Sequence, residues 1–509
     1  PVSMRYARLL LAALFVLSLL PAVSAGAAVL DLSDVLDVDL LDPSEDLTAS
    51  PNMSHVANLQ WEDSFRRDGG RTIDTQGGTD VEFATVDGRD YAVAGTYQNG
   101  LQIIDVTDPE QPTQAGWYHC DILQGDVQTF AREDVDADGN AYTRHLVTYT
   151  ADSGYTANPS ACFHDIGATP GVGTLIIDIT DPTEPRSVSH ITFAGGSHNQ
   201  TIHPDGNYLY NSNSGGCGDC IEVIDISDLA NPVIHTKLPI GTLDDSHDLT
   251  FNADGTRAYS AAINGTVIID TEDPADPSVI TTIFDPAVTL HHQSDPVTIG
   301  DREFVVINDE LAGAGGNEVC PGGGLHVWEV TGDMEDNPVK VGAFFTPELT
   351  VRQGAGTGLA GTVTCTSHVF RIYPEQEKLV IGWFGAGVHV IDMSGLADLP
   401  VGGSVGVAGQ SIGAGMVEVG FARFVDSDTW SAKVMEWDAD GSAYIFADDQ
   451  TRGFDVYRFD NTAETAENPG TWLTPADAQL RLDTLLASGF QPKQYLICDL
   501  TLGRAQRSQ

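Results

Sequence analysis

The sequence predicts an all-β fold, a seven-bladed β-propeller, and three observations lead to this prediction. One phrase recurs seven times: a Gly, a short β-branched run, an acidic residue, and a turn that contains Asp or Pro. An Asp-Gly pair, which is a strong hairpin signal, precedes five of the seven copies. The 53 Gly and 25 Pro supply many turns between short strands.

The seven copies define the predicted blades. Strand, Asp-Gly hairpin, strand, loop, strand, Asp-Pro turn and strand make one antiparallel blade. Successive copies are separated by 45 to 73 residues, within or above the span of one blade. The last copy lacks an outer strand, and residues 55–61 are expected to supply it and so close the ring. The copies are GLQIIDVTDPEQP (100–112), GTLIIDITDPTEP (173–185), CIEVIDISDLANP (220–232), GTVIIDTEDPADP (265–277), GLHVWEVTGDMEDNP (324–338), GVHVIDMSGLADLP (387–400) and GFDVYRFDN (453–461).

The start of the chain is predicted to be a targeting segment. Arg5 and Arg8 precede the apolar stretch 9–20, and the small residues 23–25 follow it. This order is typical of a secretory signal peptide, with an uncleaved anchor as the alternative, so the protein is expected to be secreted to an extracellular, cell-surface or periplasmic location. The predicted boundaries are a signal peptide at 1–25 (residues 1–3 preceding the initiator Met4), an acidic leader at 26–54, the propeller at 55–462, and a tail with one helix at 463–509.

Composition excludes two classes of partner. The chain has 73 Asp and Glu against 24 Lys and Arg, a formal charge of −49. Binding to phosphate backbones requires clustered cations, so nucleic acid is excluded, and so is an anionic membrane surface. The expected partner is therefore an unknown extracellular ligand or protein. A surface calcium ion is expected on so acidic a chain, although the DxDG stretches at 136–139 and 438–441 are interpreted as hairpin turns.

Seven cysteines fit an exported protein. Their order suggests the pairs Cys120–Cys162, Cys217–Cys220 and Cys320–Cys365, with Cys498 left over, although order does not determine connectivity. The CxxC of the second pair could be redox-active or half of a metal site. We interpret it as a loop staple, because no helix follows to lower a thiol pKa.

The phrases IIDVTDP, IIDITDP and VIDISD resemble the LVIVD repeats of secreted bacterial and archaeal propellers. The pieces Ser-His-Asn, Ser-His-Asp, His-His-Gln and Asn-Asp-Glu resemble the choice-of-anchor B group, which has the same architecture. The resemblance covers about residues 55–460 and implies the fold; these families have no settled activity. The acidic residue of each phrase is predicted to accept hydrogen bonds from the amides of the following turn.

Histidines at one register are the functional signal. Counting back seven residues from the hairpin of a blade locates the expected start of its inner strand. Blade 2 has a longer hairpin, so its position is taken instead from the resemblance of GDVQTF to TDVEFA, which gives Asp126. At 14 His in 509 residues, seven random positions would hold about 0.2 His (7 × 14/509), whereas four are found, on consecutive blades. The predicted ring is Asp80, Asp126, His198, His247, His292, His368 and Lys433.

Imidazoles that converge at one end of the propeller axis predict a transition-metal site, because neutral imidazole binds Fe, Cu, Ni or Zn. The alternative is a polar belt in which each His hydrogen-bonds the neighbouring blade. Lys433 is expected to neutralise Asp80 and Asp126, which would place the metal off-axis, towards the His blades. The predicted metal ligands are His198, His247, His292 and His368, with Glu310 as a further ligand or, like Asp248, as a partner that orients one.

Two classes of function follow from these residues. The first is an exported metalloprotein with oxidoreductase or lyase chemistry at the mouth of the channel. The second is a non-catalytic propeller that displays loops to a protein or glycan at the cell surface. No GxSxG, HExxH, Walker or Rossmann signature stands in the context that its chemistry requires.

Overall fold

The computed structural model of the chain contains seven antiparallel sheets, which are the blades of a β-propeller. The repeated phrase forms the third strand of every blade, as predicted. The structure describes residues 47–463 except 62–65, 69–70, 74–76, 98, 121, 123–124, 137, 152–161, 168–171, 194, 214–216, 242, 244, 311–322, 345–349, 353–361, 365, 400, 402–414 and 425.

Within each blade the strands follow one another from the inner to the outer edge. Ahead of blade 1 lie β1 (Leu47–Ala49), β2 (Met53–Leu59) and a hairpin of β3 (Arg66–Asp68) and β4 (Arg71–Ile73). Blade 1 is β5 (Gly78–Val86), β6 (Arg89–Thr96), β7 (Leu101–Asp105) and β8 (Thr113–Tyr118); blade 2 is β9 (Val127–Val135), β10 (Ala141–Thr150), β11 (Gly173–Asp178) and β12 (Arg186–Thr192). Blade 3 is β13 (Asn199–Ile202), β14 (Tyr208–Ser212), β15 (Cys220–Asp225) and β16 (Val233–Pro239); blade 4 is β17 (Asp248–Phe251), β18 (Arg257–Ala261), β19 (Thr266–Asp270) and β20 (Ser278–Ile283).

The second half of the ring repeats this arrangement. Blade 5 is β21 (His291–Ile299), β22 (Arg302–Asp309), β23 (Leu325–Glu329) and β24 (Val339–Phe344), and a hairpin of β25 (Thr350–Arg352) and β26 (Thr362–Thr364) follows it. Blade 6 is β27 (Phe370–Tyr373), β28 (Lys378–Gly382), β29 (Val388–Asp392) and β30 (Val417–Phe424). Blade 7 is β31 (Thr429–Trp437), β32 (Ala443–Asp449) and β33 (Gly453–Phe459), and short 3-10 helices occupy Gly332–Met334, Pro374–Gln376 and Ser394–Asp398.

The N-terminal chain closes the ring. β2 pairs antiparallel with β33 and so becomes the outer strand of blade 7, which confirms the prediction made for residues 55–61. β1 pairs with β30 and gives blade 6 a fifth strand. Residues 47–54, which were expected in the acidic leader, therefore contribute strands to two sheets. One segment supplies the outer edge of two neighbouring blades, which leaves fewer unpaired strand edges.

The remaining predictions about the ends and the cysteines fall partly outside the described residues. The signal peptide, most of the leader, the tail helix, the Cys320–Cys365 pair and Cys498 all lie there. The other two predicted pairs, Cys120–Cys162 and Cys217–Cys220, are both present. Within the described part of the chain, no helix has the length and apolar character that a membrane span requires.

Apolar cores lie between adjacent blades, because both faces of each sheet are covered. Ile103 of β7 packs with Val147 and Ile177 of blade 2, whereas the next residue, Ile104, packs with Phe446 of blade 7. Neighbouring side chains of a strand point to opposite faces. A third strand that is buried on both faces must therefore be apolar at consecutive positions, which explains the uninterrupted β-branched run of the phrase.

The Asp-Gly pairs form the predicted hairpins. Asp87 and Gly88 have φ values of 51° and 75°, the positive pair that a type I′ turn needs. Asp136 of the first DxDG stretch accepts hydrogen bonds from the N–H groups of Asp138 and Asn140. That carboxylate is used within its own turn, in agreement with the hairpin interpretation. A surface calcium ion stays a prediction without an assigned place.

The acidic residue of the phrase anchors the turn that follows it. Asp105 accepts the N–H of Thr107 at 3.0 Å, and the same contact recurs at Asp178, Asp225, Asp270 and Asp392. This confirms the predicted structural role. Glu329 of blade 5 differs, because both of its carboxylate oxygens accept hydrogen bonds from the buried guanidinium of Arg302. Arg302 also donates to the carbonyl of Leu396, so it links blade 5 to blade 6.

Replacing Arg302 by Ala should destabilise the propeller by about 3–5 kcal/mol, because Glu329 would stay buried without its counter-ion. Arg89→Ala is the matched control, since Arg89 occupies the same position in blade 1 and pairs with Asp105 at the surface. Urea unfolding of both variants measures the difference. Equal stability of the two variants would contradict a structural role for the Arg302–Glu329 pair.

A histidine-lined cavity at the end of the propeller axis

Hydrogen bonding at the start of the inner strands shows which residues share one level of the ring. The N–H groups of His198, His247 and His368 donate to the carbonyl groups of Ser212, Ala261 and Gly382, at 2.8, 2.7 and 3.0 Å. Each acceptor ends the second strand of its blade. His292 stands at the same point of blade 5, one residue before Gln293, whose N–H donates to the side chain of Asn308. The four predicted histidines therefore share one level.

Strand pairing corrects the ring in the other three blades. Thr79 donates to the carbonyl of Gly125 and His368 to that of Trp430, the contact that His247 makes with His292. Blades 1, 2 and 7 therefore place Thr79, Gly125 and Trp430 at the histidine level, where the sequence had predicted Asp80, Asp126 and Lys433. A count of seven residues fails in blade 7 because the pairing of its first two strands shifts between Val434 and Trp437. A similar irregularity lies between Gly78 and Val81 in blade 1.

All seven residues of this level line one cavity. The cavity has a volume of about 20 Å³, which is enough for one water-sized ligand. The four imidazoles are buried and stand side by side along one wall, with ring centres 4.2, 4.3 and 4.3 Å apart in chain order. The lining residues are Thr79, Gly125, Asp126, His198, Asn199, His247, His292, His368, Val369 and Trp430.

Backbone carbonyls orient two of the rings. Nδ1 of His247 lies 2.8 Å from the carbonyl oxygen of His292, and Nδ1 of His368 lies 2.8 Å from that of Trp430. A carbonyl oxygen only accepts, so each Nδ1 carries the proton and each Nε2 keeps its lone pair. Nε2 of His247 has no hydrogen-bond partner among the described residues. The polar-belt contacts thus exist, and they leave Nε2 able to bind a metal, as in most metal-ligating histidines.

Glu310 joins the histidines at the end of β22. Its carboxylate oxygens lie 3.5 Å from Nε2 of His292 and 3.7 Å from Nε2 of His368, and its side chain is buried. One ligand atom from each of His247, His292 and Glu310 lies within 4.8 Å of the others. Ligands on opposite sides of one ion, at about 2.1 Å each, would be about 4.2 Å apart. A small inward movement is therefore enough for one ion to reach all three.

Burial keeps these imidazoles neutral. It lowers the pKa of His247 and His292 well below the usual range, and the neighbouring imidazoles lower the two values further. Burial likewise lowers the pKa of His368 to about 3. Neutral imidazole is the form that binds a metal, so protons do not compete with a cation for these nitrogens near neutral pH.

Charged side chains fill the levels of the channel below the histidines. Lys433 Nζ lies 2.7 Å from Asp80 and 2.9 Å from Glu82, and Arg371 also pairs with Glu82. Lys433 thus neutralises Asp80, as the sequence predicted, although it does so three residues further along its strand than the histidine level. Asp248, the predicted orienting partner, lies one residue past the histidine level, and burial raises its pKa to about 7.

Aromatic residues form the wall beyond His368. Its ring packs against Trp430 with centres 4.2 Å apart and against Phe384 with centres 4.5 Å apart. Phe384 has a φ of +35°, which is unfavourable for a bulky side chain and is found mainly where the surroundings impose it. Sequence analysis missed both aromatic residues, because the miscount in blade 7 selected Lys433 and because nothing marks Phe384 locally.

Two loops that join second and third strands have one end close to the histidines. The N–H of Ser197 donates to the carbonyl of Ala151, and the N–H of Ser367 donates to that of Gly323. Ala151 follows β10 in blade 2, and Gly323 precedes β23 in blade 5. Because Ser197 and Ser367 directly precede site histidines, these two loop ends lie at the rim of the cavity.

Comparison with known proteins supports the fold. The model of the LVIVD repeat family matches residues 86–119. The chain is a seven-bladed propeller whose first blade matches the LVIVD repeat. No curated protein matches its sequence. The choice-of-anchor B resemblance stays a prediction.

Two solved structures are similar to this propeller. One is a protein of unknown function from Desulfotomaculum acetoxidans DSM 771, with 15% identity, 68% of this chain and 90% of that chain covered, and a TM-score of 0.38. The other is the hydrazine synthase of Kuenenia stuttgartiensis, with 14% identity, 76% and 97% covered, and a TM-score of 0.44. At these values neither similarity says anything about the function of the present chain.

The carboxyl groups below the cavity should make stability depend on pH. Burial raises the pKa of Asp295 to about 6, although Thr250 and Gln293 donate hydrogen bonds to it. A folded-state pKa above the unfolded value means that stability is complete at pH 4 and is lost as pH rises through about 6. Asp295→Asn should therefore gain about 3 kcal/mol relative to the native chain between pH 4 and pH 8, at about 1.4 kcal/mol per unit.

Asp254→Asn is the control for this prediction and should show the opposite sign. Hydrogen bonds from the side chain and amide of Thr256 lower the pKa of that hairpin carboxyl, so it stabilises the fold at high pH. Urea unfolding at pH 4, 6 and 8 gives the free energies. A gain by Asp295→Asn that does not change with pH would show that Asp295 ionises normally in the folded protein.

Proposed function

We propose that this LVIVD-repeat propeller is an exported metalloprotein whose metal ion lies in the histidine-lined cavity. The observation that carries the proposal is the convergence of His247, His292 and Glu310, each buried and each with a ligand atom within 4.8 Å of the others. Nε2 of His368 lies 3.7 Å from Glu310, and the ring of His198 packs against that of His247. The metal would therefore lie off the propeller axis, towards blades 4 to 6.

The ligand atoms of the site determine which metals it would bind. Imidazole nitrogens outnumber carboxylates in this group, and such sites favour Fe, Cu, Ni or Zn over Ca and Mg, which prefer oxygen ligands. The His247 and His368 rings are already oriented through Nδ1 by backbone carbonyls. A site whose ligands are fixed before binding loses little conformational entropy when the ion enters.

The cavity limits the chemistry to small molecules next to the ion. About 20 Å³ admits one water-sized ligand, so a large substrate would have to react at the rim. With Fe or Cu, such a site suits oxidoreductase chemistry on a small ligand; with Zn it suits activation of a water molecule for hydrolysis or elimination. Export is supported by the two cysteine pairs, since disulfides persist in oxidising compartments.

Replacing His292 by Ala should raise the dissociation constant for the bound metal more than about 100-fold, because loss of a direct ligand exceeds the effect of losing a residue behind one. The control is His326→Ala, which removes a histidine that is equally buried but lies in the third strand of blade 5, outside the cavity. Elemental analysis of protein purified from metal-replete medium, followed by competition with a chelator, measures stoichiometry and affinity.

The native chain and His326→Ala should each carry close to one equivalent of a single transition metal, and His292→Ala should carry little. Thermal unfolding without metal should be similar for the native chain and His292→Ala, since a side chain lost from a cavity wall opens no apolar core. Absence of transition metal from the native chain would refute the metalloprotein proposal. It would favour the alternative, a propeller that displays its loops to a protein or glycan.

A further inference from the structure

The ring of seven residues is asymmetric around the cavity. Four blades contribute imidazoles, whereas blades 1 and 2 contribute Thr79 and Gly125, the two smallest side chains of the level. The hydroxyl of Thr79 donates to the carbonyl of Gly125 at 2.7 Å, which leaves it facing the backbone. The ring of Tyr149 occupies the position that a side chain at Gly125 would take, so on the side of blades 1 and 2 the ionisable residue that lines the cavity is Asp126.

Asp126 lies at the start of the inner strand of blade 2. It lines the same cavity as the four histidines, and its Oδ2 is buried with no hydrogen-bond partner among the described residues. Its backbone N–H donates to Thr150 Oγ1 at 2.9 Å, and that hydroxyl donates to the carbonyl of His198 at 2.8 Å. Asp126 is thus held in position relative to the histidine wall through Thr150.

The charges that face Asp126 come from the neighbouring inner strands. Asp80 and Glu82 lie on β5, Asp248 on β17 and Lys433 on β31, and all four influence Asp126. Lys433 already contacts Asp80 and Glu82, at 2.7 and 2.9 Å. Burial first, and then repulsion from Asp80 and Asp248, raise the pKa of Asp126 well above its usual value. Burial and this repulsion therefore favour the protonated form of Asp126.

We propose that Asp126 is the acid–base residue of the cavity, which donates a proton to, or accepts one from, a water-sized ligand bound beside the metal. In the donating direction the O–H bond of Asp126 breaks, the proton joins the ligand atom nearest the metal, and the carboxylate keeps the electron pair. No atom changes its oxidation state, so the proton transfer needs no oxidant or reductant. This inference rests on the metal site proposed above.

The arrangement separates two roles within one small space. His247, His292 and Glu310 would hold the ion on one wall, while Asp126 supplies an exchangeable proton from the other. A general acid or base must lie within reach of the atom that it protonates, directly or through one water. Asp126, His247 and His292 line one cavity of about 20 Å³, so a small ligand beside the ion would lie close to Asp126 as well.

The test uses the full chain loaded with Co(II), whose visible d–d spectrum reports ionisations near the metal. In the native chain, titration from pH 5 to 10 should show two coupled ionisations, one from the water on cobalt and one from Asp126. Asp126→Asn keeps the shape of the side chain and removes its titration, so one step should vanish. The cobalt affinity of the variant should stay within about threefold of the native value, because Asp126 is not a ligand.

Asn199→Ser is the matched control. Asn199 follows His198 as Asp126 follows Gly125, and it lines the same cavity without a titrating group. Its substitution should leave both ionisations in place. Identical titrations for the native chain and Asp126→Asn would overturn the acid–base role. A loss of cobalt affinity beyond tenfold in Asp126→Asn would overturn it too, by making Asp126 a ligand. Failure of the native chain to bind cobalt would instead refute the metal site itself.

Discussion

The site depends on hydrogen bonds between neighbouring blades. These bonds lie at the histidine level, where the inner strands begin. Thr79 and His368 both donate from their side chains to the backbone carbonyl of the residue at the same level of the next blade, as His247 also does. The acceptor is main chain, so its position is set by the closure of the ring and not by a rotamer. The same contacts that hold the blades in register therefore also turn the imidazoles towards the cavity.

The charged side chains of the channel lie at a different level from the histidines. Burial lowers the pKa values of His247, His292 and His368 and so keeps these three imidazoles neutral. The cations lie three residues further along their strands, where Lys433 and Arg371 meet Asp80 and Glu82. A cation placed beside the histidines would repel a metal, whereas at the deeper level it offsets buried carboxylates. The distribution thus keeps the cavity compatible with a divalent ion in a chain of strong negative charge.

Much of the fold was predictable because its information is local and repeated. The phrase that contains Asp105 recurs in every blade, and an apolar run buried on both faces is typical of a strand in the middle of a propeller blade. Closure by residues 55–61 also followed from counting strands. The second closure, β1 on blade 6, was not predictable, because Leu47–Ala49 is too short to form a pattern and acquires its structure from the edge of β30.

The sequence by itself determined the propeller, the seven blades and the four histidines on consecutive blades, because each depends on spacing along one strand or one repeat. Only the tertiary structure decided which residues complete that level. Shifts in strand pairing near Gly78 and Val434 replace Asp80 and Lys433 by Thr79 and Trp430. A bulge moves every later residue of a strand relative to its neighbours, and it depends on contacts between strands that no count along one strand contains.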